Sequence, residues 1–293
     1  MPRVITDALL RGWPLPDPAK DGSKEHRGRA LIIAGSIEMP GAAVLASSAA
    51  LRAGCGKVRV AVPRSAAAAV GCAVPELFVL PLAGRASLRA IIDSAKKADA
   101  VLIGPGMRDL SAIRVLLPQL LRLSSLHSIV IDATALRLVP DLRRPASDLK
   151  CSLILTPHHS EAATLCDVSA EKIDRAPLRY AREIAGRFRA TVVLKGAETI
   201  ICAADEAVPA HLNKRGNIGL ATAGSGDVLA GIIAGLAARG ADPLQAAVWS
   251  VALHARVGES LAKQTGHLGY LAHELARELP RVLSRFESRA ASR

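Results

Sequence analysis

The chain has 293 residues, half of them hydrophobic but only 2% aromatic. This suits a large aliphatic core and excludes a disordered chain or one that stacks nucleic-acid bases on aromatic platforms. Its 38 Lys and Arg against 26 Asp and Glu leave a charge of +12, but the basic residues (Arg89, Arg108, Arg114, Arg122) are scattered with no nucleic-acid motif, so no nucleic-acid partner is expected.

The N-terminal stretch is rich in proline and carries no apolar leader, and residues 1–24 read as an extended segment ahead of a single domain. Arg29 to Gly35 reads as a buried strand ending in a turn, and Gly41 to Ala53 as a helix of small residues. Further strands are expected at Lys57–Val62, Ala100–Ile103, Ser128–Asp132, Ser152–Thr156 and Thr191–Leu194, the last after a helix over Ala181–Phe188. These β-branched runs lack polar alternation, which means strands covered on both faces. Their alternation with helices predicts a parallel sheet with right-handed crossovers. Glu198–Ala203 and Val208–Leu212 read as a hairpin, and Val228–Arg239, Pro243–Lys263 and Leu268–Phe286 as helices. No apolar stretch reaches the roughly 18 residues that span a bilayer, so no membrane partner is expected. Cysteines 55, 72, 151, 166 and 202 form no Cys-x-x-Cys pair. They are expected as mostly buried free thiols of a cytoplasmic protein.

In a parallel sheet, ligands bind beyond the carboxyl ends of the strands. Gly104-Pro105-Gly106, Asp132, Thr156-Pro157-His158 and Lys195-Gly196 each follow a strand directly and predict one shared crevice. The strongest local signal is Ala223-Gly224-Ser225-Gly226-Asp227 running into a helix. Its glycines let several N–H groups point one way, and the helix adds its positive end, making an anion hole. Asp227 then suits a general base for a hydroxyl that attacks phosphorus; alternatively it is only a helix cap. Neither a P-loop nor a dinucleotide-binding fingerprint is present. His158, His159 and Glu161 lack further ligands at zinc spacing, so no protein-held metal is expected.

Taken in order, these segments resemble the ADP-dependent (S)-NAD(P)H-hydrate dehydratase family of the ribokinase-like superfamily. The resemblance runs from His26 to Glu287. It rests on Ala34-Gly35-Ser36 with Met39 to Ala43, Ile103 to Gly106, Leu155 to His158, Val193 to Gly196, Asn217 to Gly231 and Leu271 to Leu275. It implies a ribokinase-like α/β fold, a mostly parallel central sheet with helices on both faces. It also implies a repair reaction, in which ADP phosphorylates the ring hydroxyl of a hydrated nicotinamide cofactor. Phosphate is then eliminated, leaving NAD(P)H and AMP.

By the resemblance, Gly224, Ser225, Gly226 and Asp227 are catalytic. Lys195, Gly196, Ala197, Glu198, Thr199 and Gly226 hold the nucleotide. Ala42, Gly106, His158 and Asp227 line the side of the hydrated cofactor. ADP and Mg2+ are the implied co-substrate and cofactor, and a homo-oligomer, such as a tetramer, the implied assembly. Bifunctional relatives carry an additional N-terminal epimerase domain. A chain of 293 residues leaves no room for one, so a separate NAD(P)H-hydrate epimerase is the expected partner. Thr134, Arg137, His159 and Ala223 depart from the family pattern. Two other readings use the same residues: a small-molecule kinase acting on a vitamin precursor, and a non-catalytic nucleotide sensor.

Overall fold

The aliphatic runs form one ten-stranded sheet in a computed structural model that describes residues 1–17, 27–84, 86–142 and 150–286. His26, Glu287 and residues 18–24 of the expected N-terminal segment lie outside the described residues. The first half of the chain runs β1 (Arg3–Val4), α1 (Asp7–Arg11), β2 (Arg29–Ile33), α2 (Gly41–Arg52), β3 (Lys57–Pro63), α3 (Arg64–Ala73), β4 (Phe78–Leu82), α4 (Ala86–Ala95), β5 (Ala100–Ile103) and α5 (Leu110–Leu120). Next come β6 (Ser128–Ile131), a 3-10 helix (Ala133–Asp141), β7 (Ser152–Leu155), α6 (His159–Cys166), α7 (Ala170–Arg175), α8 (Pro177–Phe188) and β8 (Ala190–Leu194). The chain then forms β9 (Thr199–Cys202), β10 (His211–Asn213), a 3-10 turn (Ile218–Leu220), α9 (Ser225–Ala238), α10 (Pro243–Thr265) and α11 (Ala272–Leu283).

The strand order is β1-β10-β9-β8-β7-β6-β5-β2-β3-β4. The seven strands from β8 to β4 are parallel, and β9 is antiparallel to both neighbours. Side chains alternate between two cores, as the period of a strand requires. Ala30 and Ile32 of β2 and Leu102 of β5 enter the core that also holds Val228 and Ile232 of α9 and Trp249 of α10. Leu31, Ile33, Val101 and Ile103 enter the opposite core with residues of α5, α6 and α8. The mostly parallel sheet with helices on both faces, implied by the resemblance, is therefore present.

Several elements depart from the sequence expectations, four of them for an evident local reason. The stretch read as extended contains β1, paired with β10, and α1, capped by the Thr6 hydroxyl and tied down where Arg256 Nε donates to Asp7 (3.0 Å). β4 is a further strand that contains Pro81, and it lies at the sheet edge, where a missing N–H is tolerated. The second hairpin strand begins only at His211, after Pro209. The last helix begins at Ala272 rather than Leu268, since Gly266 and Gly269 both take φ of 102°.

The approach of α9 to α2 sets up the site. Gly231 packs so closely that a Cβ there would lie 2.2 Å from the Ala46 carbonyl oxygen. Two helices in such contact hold the amino end of α9 beside the loop after β2.

Candidate active site

Strand order reverses between β2 and β5, and a crevice opens at such a reversal beyond the strands' carboxyl ends. The loops after β2 and β5 meet there. Gly35 N–H donates to the Pro105 carbonyl (2.7 Å), and a Cβ on Gly106, at φ 63°, would lie 2.5 Å from that of Ala42. His158 and Lys195 pair across a single parallel bridge, and Lys195 N–H donates to the Pro157 carbonyl (2.8 Å). His158 also caps α6 in a reciprocal box with Glu161, and its Nε2 lies 3.4 Å from the Glu161 carboxylate.

The amino end of α9 faces the same corner. Gly224 precedes the helix at φ 85°, and a Cβ there would lie 2.4 Å from Leu45. Ser225 N–H donates to the Thr222 carbonyl (3.2 Å) and Val228 N–H to the Gly224 carbonyl (3.1 Å). Gly226 and Asp227, at the second and third helical positions, carry N–H groups with no intrahelical acceptor. Gly224, rather than Asp227, is the capping residue.

Three charged side chains couple across this corner. Lys195 Nζ donates to Asp132 Oδ1 (2.9 Å), and the Thr156 hydroxyl donates to the same oxygen (2.6 Å). Asp132 is only 2% exposed. Burial works against the Lys195 ammonium, but the carboxylates of Asp132, Glu161 and Asp227 outweigh it and hold its pKa above that of an ordinary lysine. Burial pushes the Asp227 carboxyl up to about 6; the Asp132 charge adds to the rise and the Lys195 charge opposes it. A carboxylate tuned near neutrality is well placed to take a proton.

Beside this corner lies a cavity of about 530 Å³. Lys195, Gly196, Ala197, Thr199 and Gly226 line it, five of the six residues expected to hold a nucleotide. The sixth, Glu198, lies 3.8 Å from Lys214 and does not line it. Ala42, Gly106, His158 and Asp227, the residues expected on the cofactor side, do not line this cavity, and Asp227 directly follows Gly226 in α9. The cavity also draws on residues that the sequence reading gave no role: Asn213 and Arg215 from the hairpin exit, Leu229 of α9, and Val251 and His254 of α10. His254 Nε2 lies 3.0 Å from Ser225 Oγ and 3.1 Å from the Ser225 carbonyl oxygen. Burial pushes its pKa down to about 4, so the imidazole is neutral near pH 7.

Of the departures from the family pattern, His159 lies beside Gly196 of this crevice. His159 pairs through Nδ1 with Asp174, and its Nε2 would lie 2.9 Å from a Cβ on Gly196. Thr134 is half-buried and Arg137 exposed on the 3-10 helix that follows Asp132.

The sequence profile of NAD(P)H-hydrate dehydratases matches residues 30–281. The chain belongs to the NAD(P)H-hydrate dehydratase family. Among curated members, the ADP-dependent (S)-NAD(P)H-hydrate dehydratase of Xanthomonas campestris is 42% identical, over 97% of this chain and 96% of its own length. The bifunctional NAD(P)H-hydrate repair enzyme of Moorella thermoacetica is 37% identical, and this chain spans about half of it, 54%. The solved structure of the ADP/ATP-dependent NAD(P)H-hydrate dehydratase from Bacillus subtilis, co-crystallised with ATP and Mg2+, is 30% identical. It superposes with a TM-score of 0.85 over 98% of this chain and 99% of that one. A ribokinase-like superfamily protein from Enterococcus faecalis superposes with a TM-score of 0.84 at 25% identity, over 97% of this chain and 96% of that one. The dehydratase fold of this chain is thus ribokinase-like. Among its described residues, no helix is long and apolar enough to cross a membrane. Cys55, Cys166 and Cys202 are buried free thiols, Cys151 is half-buried and Cys72 is exposed.

Proposed function

We propose that this dehydratase carries out the ADP-dependent conversion of (S)-NAD(P)H hydrate to NAD(P)H, releasing AMP and phosphate. The observation that carries the reading is the near full-length match to the Xanthomonas campestris dehydratase at 42% identity. The site chemistry supports it. The nucleotide enters the 530 Å³ cavity with its phosphates toward Gly226 and Lys195. Asp227 takes the proton of the ring hydroxyl as that oxygen attacks the β-phosphorus of ADP, and AMP leaves. The Gly226 and Asp227 amides and the Lys195 ammonium stabilise the charge on the phosphoryl group in flight. Phosphate then departs from the ring with its C–O bond electrons, a ring C–H proton is lost, and the double bond is restored. The elements of water removed from the hydrate end up in AMP and phosphate, so the reaction balances.

Among the described residues, no group of three or more His, Cys, Asp or Glu is placed to hold a metal alone. Such a site would suit Mg2+ carried by the nucleotide phosphates rather than by protein carboxylates alone. When bound, the ion neutralises phosphate charge. We further propose a homo-oligomer, with a tetramer as the expected state, and a separate NAD(P)H-hydrate epimerase that supplies the S form.

Product analysis tests the reaction. Incubation with hydrated NADH, ADP and Mg2+ is expected to yield AMP, inorganic phosphate and NADH in equal amounts by chromatography and phosphorus NMR. A stable phosphate ester of the hydrate, or of any added alcohol, would instead identify a kinase.

A further inference from the structure

We infer that His254 is a positioning residue that fixes the Ser225 hydroxyl as a hydrogen-bond donor to the phosphoryl group being transferred. The valence of two atoms fixes the direction of these hydrogen bonds. His254 Nε2 is within hydrogen-bonding distance of both the hydroxyl (3.0 Å) and the backbone carbonyl (3.1 Å) of Ser225. A carbonyl oxygen only accepts, so Nε2 carries the proton in this neutral imidazole and donates to the two oxygens together. A hydroxyl that accepts from Nε2 must aim its own single hydrogen elsewhere.

The surroundings say where. Ser225 is the first residue of α9, 4% exposed, and lines the nucleotide cavity with Gly226 and Lys195. Among the described residues the hydroxyl has no other protein partner. A buried O–H without an acceptor costs free energy until a ligand supplies one. A phosphoryl oxygen held at the Gly226 amide is that acceptor. The imidazole also grips the carbonyl of the same residue, so the first turn of α9 and the hydroxyl direction are set as one unit. His254 stays neutral because it is buried, with the Lys195 charge adding to the effect. It therefore orients without placing a second cation beside Lys195.

The inference rests on the proposed reaction for its catalytic meaning, but its test needs no hydrate. Binding of AMP alone, and of AMP with Mg2+ and aluminium fluoride as a mimic of the phosphoryl group in transfer, is measured by calorimetry. Removing one donor to a transition-state oxygen costs on the order of 100-fold, so Ser225→Ala is expected to weaken the fluoride complex by about that factor and AMP by less than about twofold. His254→Asn places its amide where Nδ1 stood, out of reach of Ser225, and is expected to weaken the fluoride complex by about tenfold as a partial loss of that donor. His254→Gln reproduces the position of Nε2 and recovers most of the affinity. The pair Ser225→Ala with His254→Asn is no weaker than Ser225→Ala alone, because the two act as one unit. Wild-type affinity for the fluoride complex in His254→Asn would overturn the inference. So would losses that add in the double variant, or a wild-type protein that binds the fluoride complex no better than AMP. A failed product assay together with the expected binding pattern would overturn the dehydration reading and leave this inference standing.

Discussion

Asp227→Asn is expected to lower turnover of the hydrate by at least about 100-fold, as for loss of a general base, and to change ADP affinity by less than about twofold. The separation of the two effects follows from geometry. Asp227 stands at the third position of α9, outside the residues that line the nucleotide cavity. The asparagine keeps the size and the backbone N–H groups of the anion hole but cannot accept the proton. The pH profile supplies an independent check. Burial and the Asp132 charge raise the Asp227 carboxyl to about 6. An acid with a raised pKa holds its proton below that value, so the base form is present above pH 6 and lost as pH falls through it. Below the limb, kcat/KM is expected to drop about tenfold per pH unit, and the residual activity of Asp227→Asn is expected to lack that limb. Near-normal turnover in the variant, or an unchanged profile, would remove Asp227 from its assigned role.

The second large effect concerns Lys195 and separates stability from binding. Its ammonium is 20% exposed and bonded at 2.9 Å to Asp132, whose side chain is 3% exposed. Removing one partner of a buried pair strands the other charge, so Lys195→Met is expected to destabilise the fold by about 3 kcal/mol, the lower end for such pairs because the lysine is partly solvated. Adding Asp132→Asn removes the stranded charge and is expected to recover most of the loss in urea unfolding. The nucleotide does not share in that recovery. Lys195 Nζ lies 3.6 Å from where a Cβ on Gly226 would be, beside the expected phosphates. Loss of one hydrogen bond from a charged group to phosphate weakens ADP about 10- to 100-fold in both variants. Equal stability of Lys195→Met and the wild type would show that the pair contributes nothing, and unchanged ADP affinity would move the phosphates away from Lys195.

Much of this architecture is legible in local sequence because its physical causes are local. Uninterrupted β-branched runs at Ile32, Val101, Ile129 and Val193 mark strands buried on both faces, and all four are strands. The glycines at 224 and 226 mark a turn into a helix, and Gly224 does take positive φ. The opposite holds where distant segments decide the outcome. Nothing near Asp132 says that Lys195, 63 positions on, will reach its carboxylate; the order of β6, β7 and β8 brings them together. His254 lies 29 positions from Ser225, and the packing of α10 on α9 brings its ring to that hydroxyl. β4 contains Pro81, which a strand tolerates only at an edge, and the edge position is defined by the assembled sheet.

Recovery of 340 nm absorbance tests the account at its centre. Hydrated NADH is incubated with the protein, Mg2+ and either ADP, ATP or no nucleotide. No recovery is expected without nucleotide, full recovery of the S form with ADP, and a slower rise with ATP. Folded protein that binds ADP yet restores no absorbance with either nucleotide would contradict it.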